Sequence, residues 1–351
     1  MARREIRITY RILAIIGTVI VLVVIAGYVF LRLNSPYLFS FSDDISETRV
    51  KIKQDDLPSL KYYGGVRGCE NLLLDENSMR FWVTDLEGFL SEYNGKERSK
   101  LEMVRQIKLG EMLTGITAGP DSTLLIAVSE FNSDGWMHKG GRILSIDTLY
   151  TLTETITGNY PSLNGIAMSP GWDLLLFSSS NFNPFNPAGA IYMTGFVNGN
   201  WEDPALAIPN FGLANGVYYD RWADRFIFSN TVEGIYVLHK TDSLPEPVYY
   251  KKSFLEITDD LCADPDGNIW MTDPGNSTLK VLLQNKNRIV RFSIKGIGQT
   301  SSCRIRVEGN EPVIYFTELK TKQSLRSQEY DGRGVFSVPL NDLMEMIPAG
   351  Q

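Results

Sequence analysis

Beyond residue 60 the chain is written in short apolar runs separated by tight polar breaks, with no long stretch of helical period. One unit reads Leu261-Cys262-Ala263, then Asp264-Pro265-Asp266-Gly267, then Asn268-Ile269-Trp270-Met271-Thr272-Asp273. An apolar run, an Asp/Pro/Gly turn and a β-rich run predict a hairpin. The same grammar occupies residues 70–85, 116–128, 166–178 and 217–230, and a third strand often follows, as at 141–146 and 234–238. A more degenerate sixth unit covers 303–307, 312–317 and 334–338.

An oxygen-bearing side chain stands at the head of five of these units. It is Glu70, Thr114, Asn164, Asn215 and Asp259, at intervals of 44, 50, 51 and 44 residues. A period of this size, with short strands in each repeat, predicts an all-β six-bladed propeller over residues 61–345. A strand near 48–53 is expected to complete the last blade and close the ring, leaving no open edge.

Equivalent positions of successive blades face one axis, so Glu70, Asn164, Asn215 and Asp259 are expected to converge. Carboxylate and amide oxygens suit one Ca²⁺, and Mg²⁺ or Mn²⁺ meets the same donors. Two histidines and three cysteines supply no soft ligand set. Asn-Gly is also a common turn dipeptide, which gives Asn164-Gly165 and Asn215-Gly216 a plainer reading as turns. Four matches in register, two of them acidic, favour the metal. Second strands return to the same face, which places Asp85, Asn230 and Asp273 near the rim of the site, with Thr114 beside them. His138, in a Gly-rich loop, is a further rim candidate, or simply a solvated loop histidine.

Composition narrows the partners. A formal net charge of −7 over 351 residues does not suit nucleic acid. No Gly-x-Ser-x-Gly, phosphate-binding loop or dinucleotide fingerprint occurs. Among Cys69, Cys262 and Cys303 at least one is unpaired; a Cys69–Cys262 bridge is one reading, and three small buried apolar residues is the other. At the N-terminus, residues 12–31 carry no charge and follow Arg3, Arg4, Arg7 and Arg11. About 20 such residues span a bilayer. The expectation is therefore a cytoplasmic segment 1–11 and a transmembrane signal anchor 12–31. A stalk over 32–60 follows, with the propeller lumenal, periplasmic or extracellular.

The layout with Glu70, Asn164, Asn215 and Asp259, Ser169-Pro170 after Leu163-Asn164-Gly165, and the run 263–270 resembles the calcium-dependent six-bladed propellers. These are the SMP-30/gluconolactonases, the paraoxonase-type arylesterases and lactonases, and the strictosidine synthase-like group. The resemblance covers roughly residues 60–340. It implies one Ca²⁺ held by Glu70, Asn164, Asn215 and Asp259, acting as Lewis acid on a lactone or ester. Asp259 or Asp260 would be the catalytic base. Asn71 and Gly165 replace acidic residues that such enzymes use for a second ion, and Thr114 stands where a paraoxonase-type histidine is expected. A propeller that binds a ligand or protein with a structural calcium, or a strictosidine synthase-like enzyme, are the alternatives.

Overall fold

Six sheets, five antiparallel and one mixed, follow one another along the chain, each built on one of the repeated apolar runs. They are seen in a computed structural model that describes residues 16–29, 40–63, 66, 69–75, 78–97, 100–131, 138–158, 160–169, 171, 173–180, 189–209, 211–239, 244–253, 255–319 and 334–348. Two strands, β1 (Ser46–Ile52) and β2 (Lys61–Tyr63), precede the first blade. Blade one is β3 (Cys69–Leu74), β4 (Arg80–Asp85), β5 (Phe89–Glu97) and β6 (Lys100–Lys108). Blade two is β7 (Met112–Ala118), β8 (Leu124–Phe131), β9 (His138–Ile146) and β10 (Leu152–Gly158). Blade three is β11 (Leu163–Met168), β12 (Leu174–Ser179) and β13 (Ala190–Val197), flanked by β14 (Asn200–Trp201) and β15 (Ala205–Ile208).

Blade four is β16 (Ala214–Asp220), β17 (Arg225–Asn230), β18 (Gly234–His239) and β19 (Glu246–Tyr250). Blade five is β20 (Leu261–Ala263), β21 (Ile269–Asp273), β22 (Thr278–Leu283) and β23 (Arg288–Ile294). Blade six is β24 (Gln299–Glu308), β25 (Glu311–Leu319) and β26 (Gly334–Pro339), with β2 as its outer strand.

The core lies between the blades, and each neighbouring pair shares one apolar cluster. On β12, Leu175 and Phe177 pack towards blade two while Leu176 packs towards blade four. Both faces of the sheet are thus buried, which is why the run 174–177 is continuously apolar rather than alternating.

Two expectations are corrected. The ring closes through Lys61–Tyr63, antiparallel to β26, and not through the strand expected at 48–53. That segment lies in β1, which runs parallel to β23 as a fifth strand of blade five. The reason is the core, where Val50 and Ile52 join the cluster of Val290, Phe292 and Ile294. The stretch expected as stalk is therefore part of the propeller from Ser46 onward.

The membrane anchor expected over 12–31 is also corrected. Among the described residues the helical segment runs over 16–29, about 21 Å at 1.5 Å per residue against about 30 Å of hydrocarbon. No helix among the described residues is long and apolar enough to cross a membrane. The single-pass topology and the placement of the propeller across a membrane fall with it. Residues 1–15 and 30–39 lie outside the described residues.

Candidate functional site at the propeller axis

Five of the six inner strands break register where the ring residue sits. The ladder shifts between Cys69 and Asn71, Leu113 and Ile116, Leu163 and Ile166, Ala214 and Val217, and Thr300 and Cys303. A bulge of this kind re-aims a side chain and leaves backbone groups without ladder partners. In blade five Asp259 and Asp260 precede β20, and their backbone bonds to Thr272 instead.

Hydroxyls on the second strands satisfy the freed carbonyls of the next blade. Thr84 Oγ1 donates to Thr114 O at 2.6 Å, Ser178 Oγ to Asn215 O at 2.5 Å, Ser229 Oγ to Asp259 O at 3.0 Å and Thr272 Oγ1 to Ser301 O at 2.8 Å. These hydroxyls stitch the inner ends of the blades together. They were missed in the sequence reading, although Thr84, Ser178, Ser229 and Thr272 recur near the ends of the second strands.

Glycine follows three of the ring residues because the strands almost touch. A Cβ on Gly165 would lie 2.4 Å from Asn215 O, and one on Gly115 would lie 2.3 Å from Asn164 O. Asn164-Gly165 and Asn215-Gly216 lie inside β11 and β16. Close backbone approach, not a turn, explains these pairs.

The structure brings Glu70, Asn215 and Asp259 together and adds Ser301, which the sequence reading did not single out. Ser301 Oγ lies 3.3 Å from Glu70 Oε2, 3.0 Å from Asp259 Oδ2 and 3.1 Å from Glu70 O. One hydroxyl proton therefore faces three acceptors. Asn215 Nδ2 donates to Asp259 Oδ1 and to Thr231 Oγ1, both at 2.9 Å. With both amide hydrogens used, its carbonyl oxygen is the atom left for a ligand. Asn164 occupies the equivalent place on β11, half-buried, and its side chain has no hydrogen-bond partner among the described residues. The signal for Ser301 was spacing alone, since it lies 42 residues after Asp259.

Burial and the neighbouring Asp259 push the Glu70 carboxyl well above the ordinary carboxylate range. Burial and Asp260 push Asp259 up to about 7. Two carboxylates meeting at one hydroxyl, with no cation beside them among the described residues, need a proton or a bound cation. Asp260 Oδ1, buried and without a hydrogen-bond partner among the described residues, is a further unsatisfied oxygen next to them. An all-oxygen donor set of this kind fits a hard divalent ion. No group of three or more His, Cys, Asp or Glu among the described residues is arranged to hold a metal ion by itself, so amide and hydroxyl oxygens would have to complete a set.

Asp260 itself differs from Asp259. Its Oδ2 accepts from Arg304 Nη1 at 2.6 Å and from Ser302 Oγ at 2.5 Å, while Arg304 Nη2 donates to Asn71 Oδ1 at 2.8 Å. Asp260 is buried and ion-paired, which removes it as a free base. Arg304 also lines a cavity of about 120 Å³ further along the inner strands, among Leu73, Ile116, Ile166, Val217 and Tyr218.

The residues expected at the rim have framework partners. Asp85 Oδ1 accepts from the Glu87 and Phe89 amides, which caps the β4–β5 hairpin. Asn230 Oδ1 accepts from Val232 N, and Asp273 binds Asn276 and the cations Lys280 and Arg291. Thr114 is buried, with Oγ1 donating to Leu163 O at 2.9 Å. All four serve the framework. The backbone places His138 at the start of β9, opposite Phe131; its side chain lies outside what is described.

Compared with protein-family models and with curated proteins, the chain matches none. Solved structures share the architecture. A calcium-binding protein, regucalcin, from Agrobacterium tumefaciens is 17% identical, with a TM-score of 0.58 over 79% of this chain and 94% of that one. A gluconolactonase from Xanthomonas campestris is 12% identical, with a TM-score of 0.58 over 80% of this chain and 89% of that one. The PQQ-bound aldose sugar dehydrogenase of Streptomyces coelicolor is 13% identical, with a TM-score of 0.59 over 80% of this chain and 98% of that one. The neighbours thus include the gluconolactonase- and regucalcin-type six-bladed propellers that the sequence resembles. At these identities they establish the fold.

Proposed function

We propose that the chain is a divalent-cation-dependent hydrolase of a lactone or ester, with Ca²⁺ as the ion and the ring at the axis as its site. The observation that carries this reading is the convergence of Glu70 and Asp259 on the single hydroxyl of Ser301, with the amide oxygen of Asn215 left over. Glu70, Asn164, Asn215 and Asp259 would hold the ion. When bound, it would supply charge for a carbonyl oxygen and lower the pKa of water. The gluconolactonase and regucalcin neighbours support this choice of chemistry.

The chain's own groups set the rest. Arg304 and Ser302 tie Asp260 away from the ring, so Asp259, beside Glu70, is the carboxylate of the Asp259–Asp260 pair left to take up a proton there. Glu70, Asn164 and Asp259 are half-buried, while the neighbouring Asn71, Asp260 and Ser302 are buried, which makes the ring the more accessible side. Substrate therefore enters from the ring side.

The test uses the purified full chain. Bound metal is quantified, Ca²⁺ is titrated calorimetrically into chelator-treated protein, and a panel of lactones and aryl esters is assayed with and without chelator. Stoichiometric Ca²⁺, lost in Glu70→Gln and Asp259→Asn together with a chelator-sensitive hydrolysis, is the expected result. A bound ion with no turnover on any ester or lactone would replace the hydrolase with a ligand-binding propeller. No bound divalent ion would remove the reading altogether.

A further inference from the structure

The three cysteines occupy two different settings. Cys69 lies in the cluster shared by blades six and one, among Tyr63, Leu72 and Phe81. Cys262 and Cys303 lie together in the cluster between blades five and six, with their sulfurs 3.4 Å apart. The first is on β20 and the second on β24, so the contact joins two blades across 41 residues of sequence. Both side chains are wholly buried and the structure holds both as free cysteines.

We propose that Cys262 and Cys303 are a disulfide-forming pair that covalently joins blade five to blade six behind the ring. A disulfide needs sulfurs about 2.05 Å apart, so a pair already in contact has little more than an ångström to close. The two strands are the ones that lead out of the ring, since Cys262 follows Asp260 by two residues and Cys303 follows Ser301 by two. A bond here fixes the separation of the Asp259 and Ser301 segments. It stands whether or not the ring binds a cation, and it replaces the Cys69–Cys262 pairing considered from sequence.

Complete burial means that the bond is made before blades five and six close, by a small-molecule disulfide such as glutathione disulfide. A thiolate of one cysteine attacks the glutathione disulfide and expels one glutathione thiolate, leaving a mixed disulfide. The thiolate of the other cysteine then attacks the protein sulfur and expels the second. The two cysteines lose two electrons and two protons, and both end on two glutathione thiols.

Refolding the full chain with glutathione disulfide, alkylating it under denaturing conditions and mapping its peptides tests the proposal. The expected product is about 2 Da lighter than the reduced chain before alkylation, carries the label on Cys69 alone and yields a Cys262–Cys303 cross-linked peptide. Its melting temperature should exceed that of the reduced protein by roughly 4–8 °C. Cys69→Ala should keep bridge and shift, and Cys303→Ala should lose both. Three labelled cysteines in the refolded wild-type chain, or a linked peptide containing Cys69, overturn the proposal, and that map needs no variant to fold.

Discussion

Glu256 and Asp259 are three residues apart, both carboxylates close to the head of β20, and their surroundings treat them in opposite ways. Glu256 is enclosed by cations of the chain: Lys280 Nζ lies 3.1 Å from Oε1 and Arg291 Nη2 lies 2.6 Å from Oε2. Burial works against it, yet Lys280 and Arg291 hold it down at about 2. Asp259 meets no such cation among the described residues; burial and Asp260 push it up to about 7. Asp260, next in the chain, is again paired, to Arg304. Buried charge is tolerated when it is compensated, and this propeller compensates its carboxylates on both sides of Asp259. Among the described residues, the carboxylate left without a cation is the one at the axis, where it accepts only from Asn215 and Ser301.

The largest effect that can break this contrast comes from removing the compensation. Lys280 has a fully buried side chain shared by Glu256 and Asp273. Lys280→Met leaves both carboxylates short of a cation, and a cost of about 3–5 kcal/mol is expected. Urea unfolding measures it. Neutralising Glu256 as well, in Lys280→Met with Glu256→Gln, should recover part of the loss. A cost below about 1 kcal/mol would show that the cluster is not a compensated unit.

At the axis the sign reverses. Asp259 has a folded pKa above its unfolded value, so in chelator-treated protein its penalty is absent below about pH 4 and grows as pH rises towards 7. Glu256 has a folded pKa below its unfolded value, so its contribution is full above about pH 4.5 and is lost as pH falls towards 2. Cation-free protein should therefore be most stable near pH 4–5 and decline on both sides. Asp259→Asn should shrink the alkaline decline to the part that burial of the Glu70 carboxyl still contributes, and at pH 8 it should stabilise the cation-free chain by about 1–3 kcal/mol. Adding Ca²⁺ should remove the same decline in the wild type. Melting curves from pH 3 to 8, with chelator and with Ca²⁺, read all three effects. A wild-type chain whose stability is flat from pH 4 to 8 in chelator would refute the like-charge reading of the ring.

How much of this was legible beforehand follows the range of the interactions. The ring could be read because a repeat carries each blade's copy to the same place, so Glu70, Asn215 and Asp259 meet although they are 44 or more residues apart. Ser301 escaped because blade six lacks the Asn-Gly or Asp-Asp mark, and only the interval pointed to it. Asp85, Asn230 and Asp273 end second strands as expected, and the structure shows their side chains in framework bonds. Residues that end second strands also cap hairpins, and a cap and a rim residue look alike in sequence. The Glu256–Lys280–Arg291 cluster was not visible at all, since its pairing depends on how β22 and β23 lie beside the segment before β20. The apolar N-terminus was read as a span from length alone, and the helix among the described residues is shorter than that reading requires.

The smallest expected effect tests whether the ring is held by its stitches or by its charges. Ser229 Oγ donates to Asp259 O at 3.0 Å, and the same carbonyl also accepts from Gly216 N at 3.0 Å. Ser229→Ala therefore removes one of two donors and leaves no carbonyl unpaired. The expected cost is about 0.5–1 kcal/mol, read by urea unfolding, with the alkaline decline in chelator unchanged because neither carboxylate has moved. If instead that decline disappears along with the hydroxyl, the position of Asp259 depends on this single bond. The contrast between Glu256 and Asp259 would then be one of geometry, set by a serine, and not of compensation.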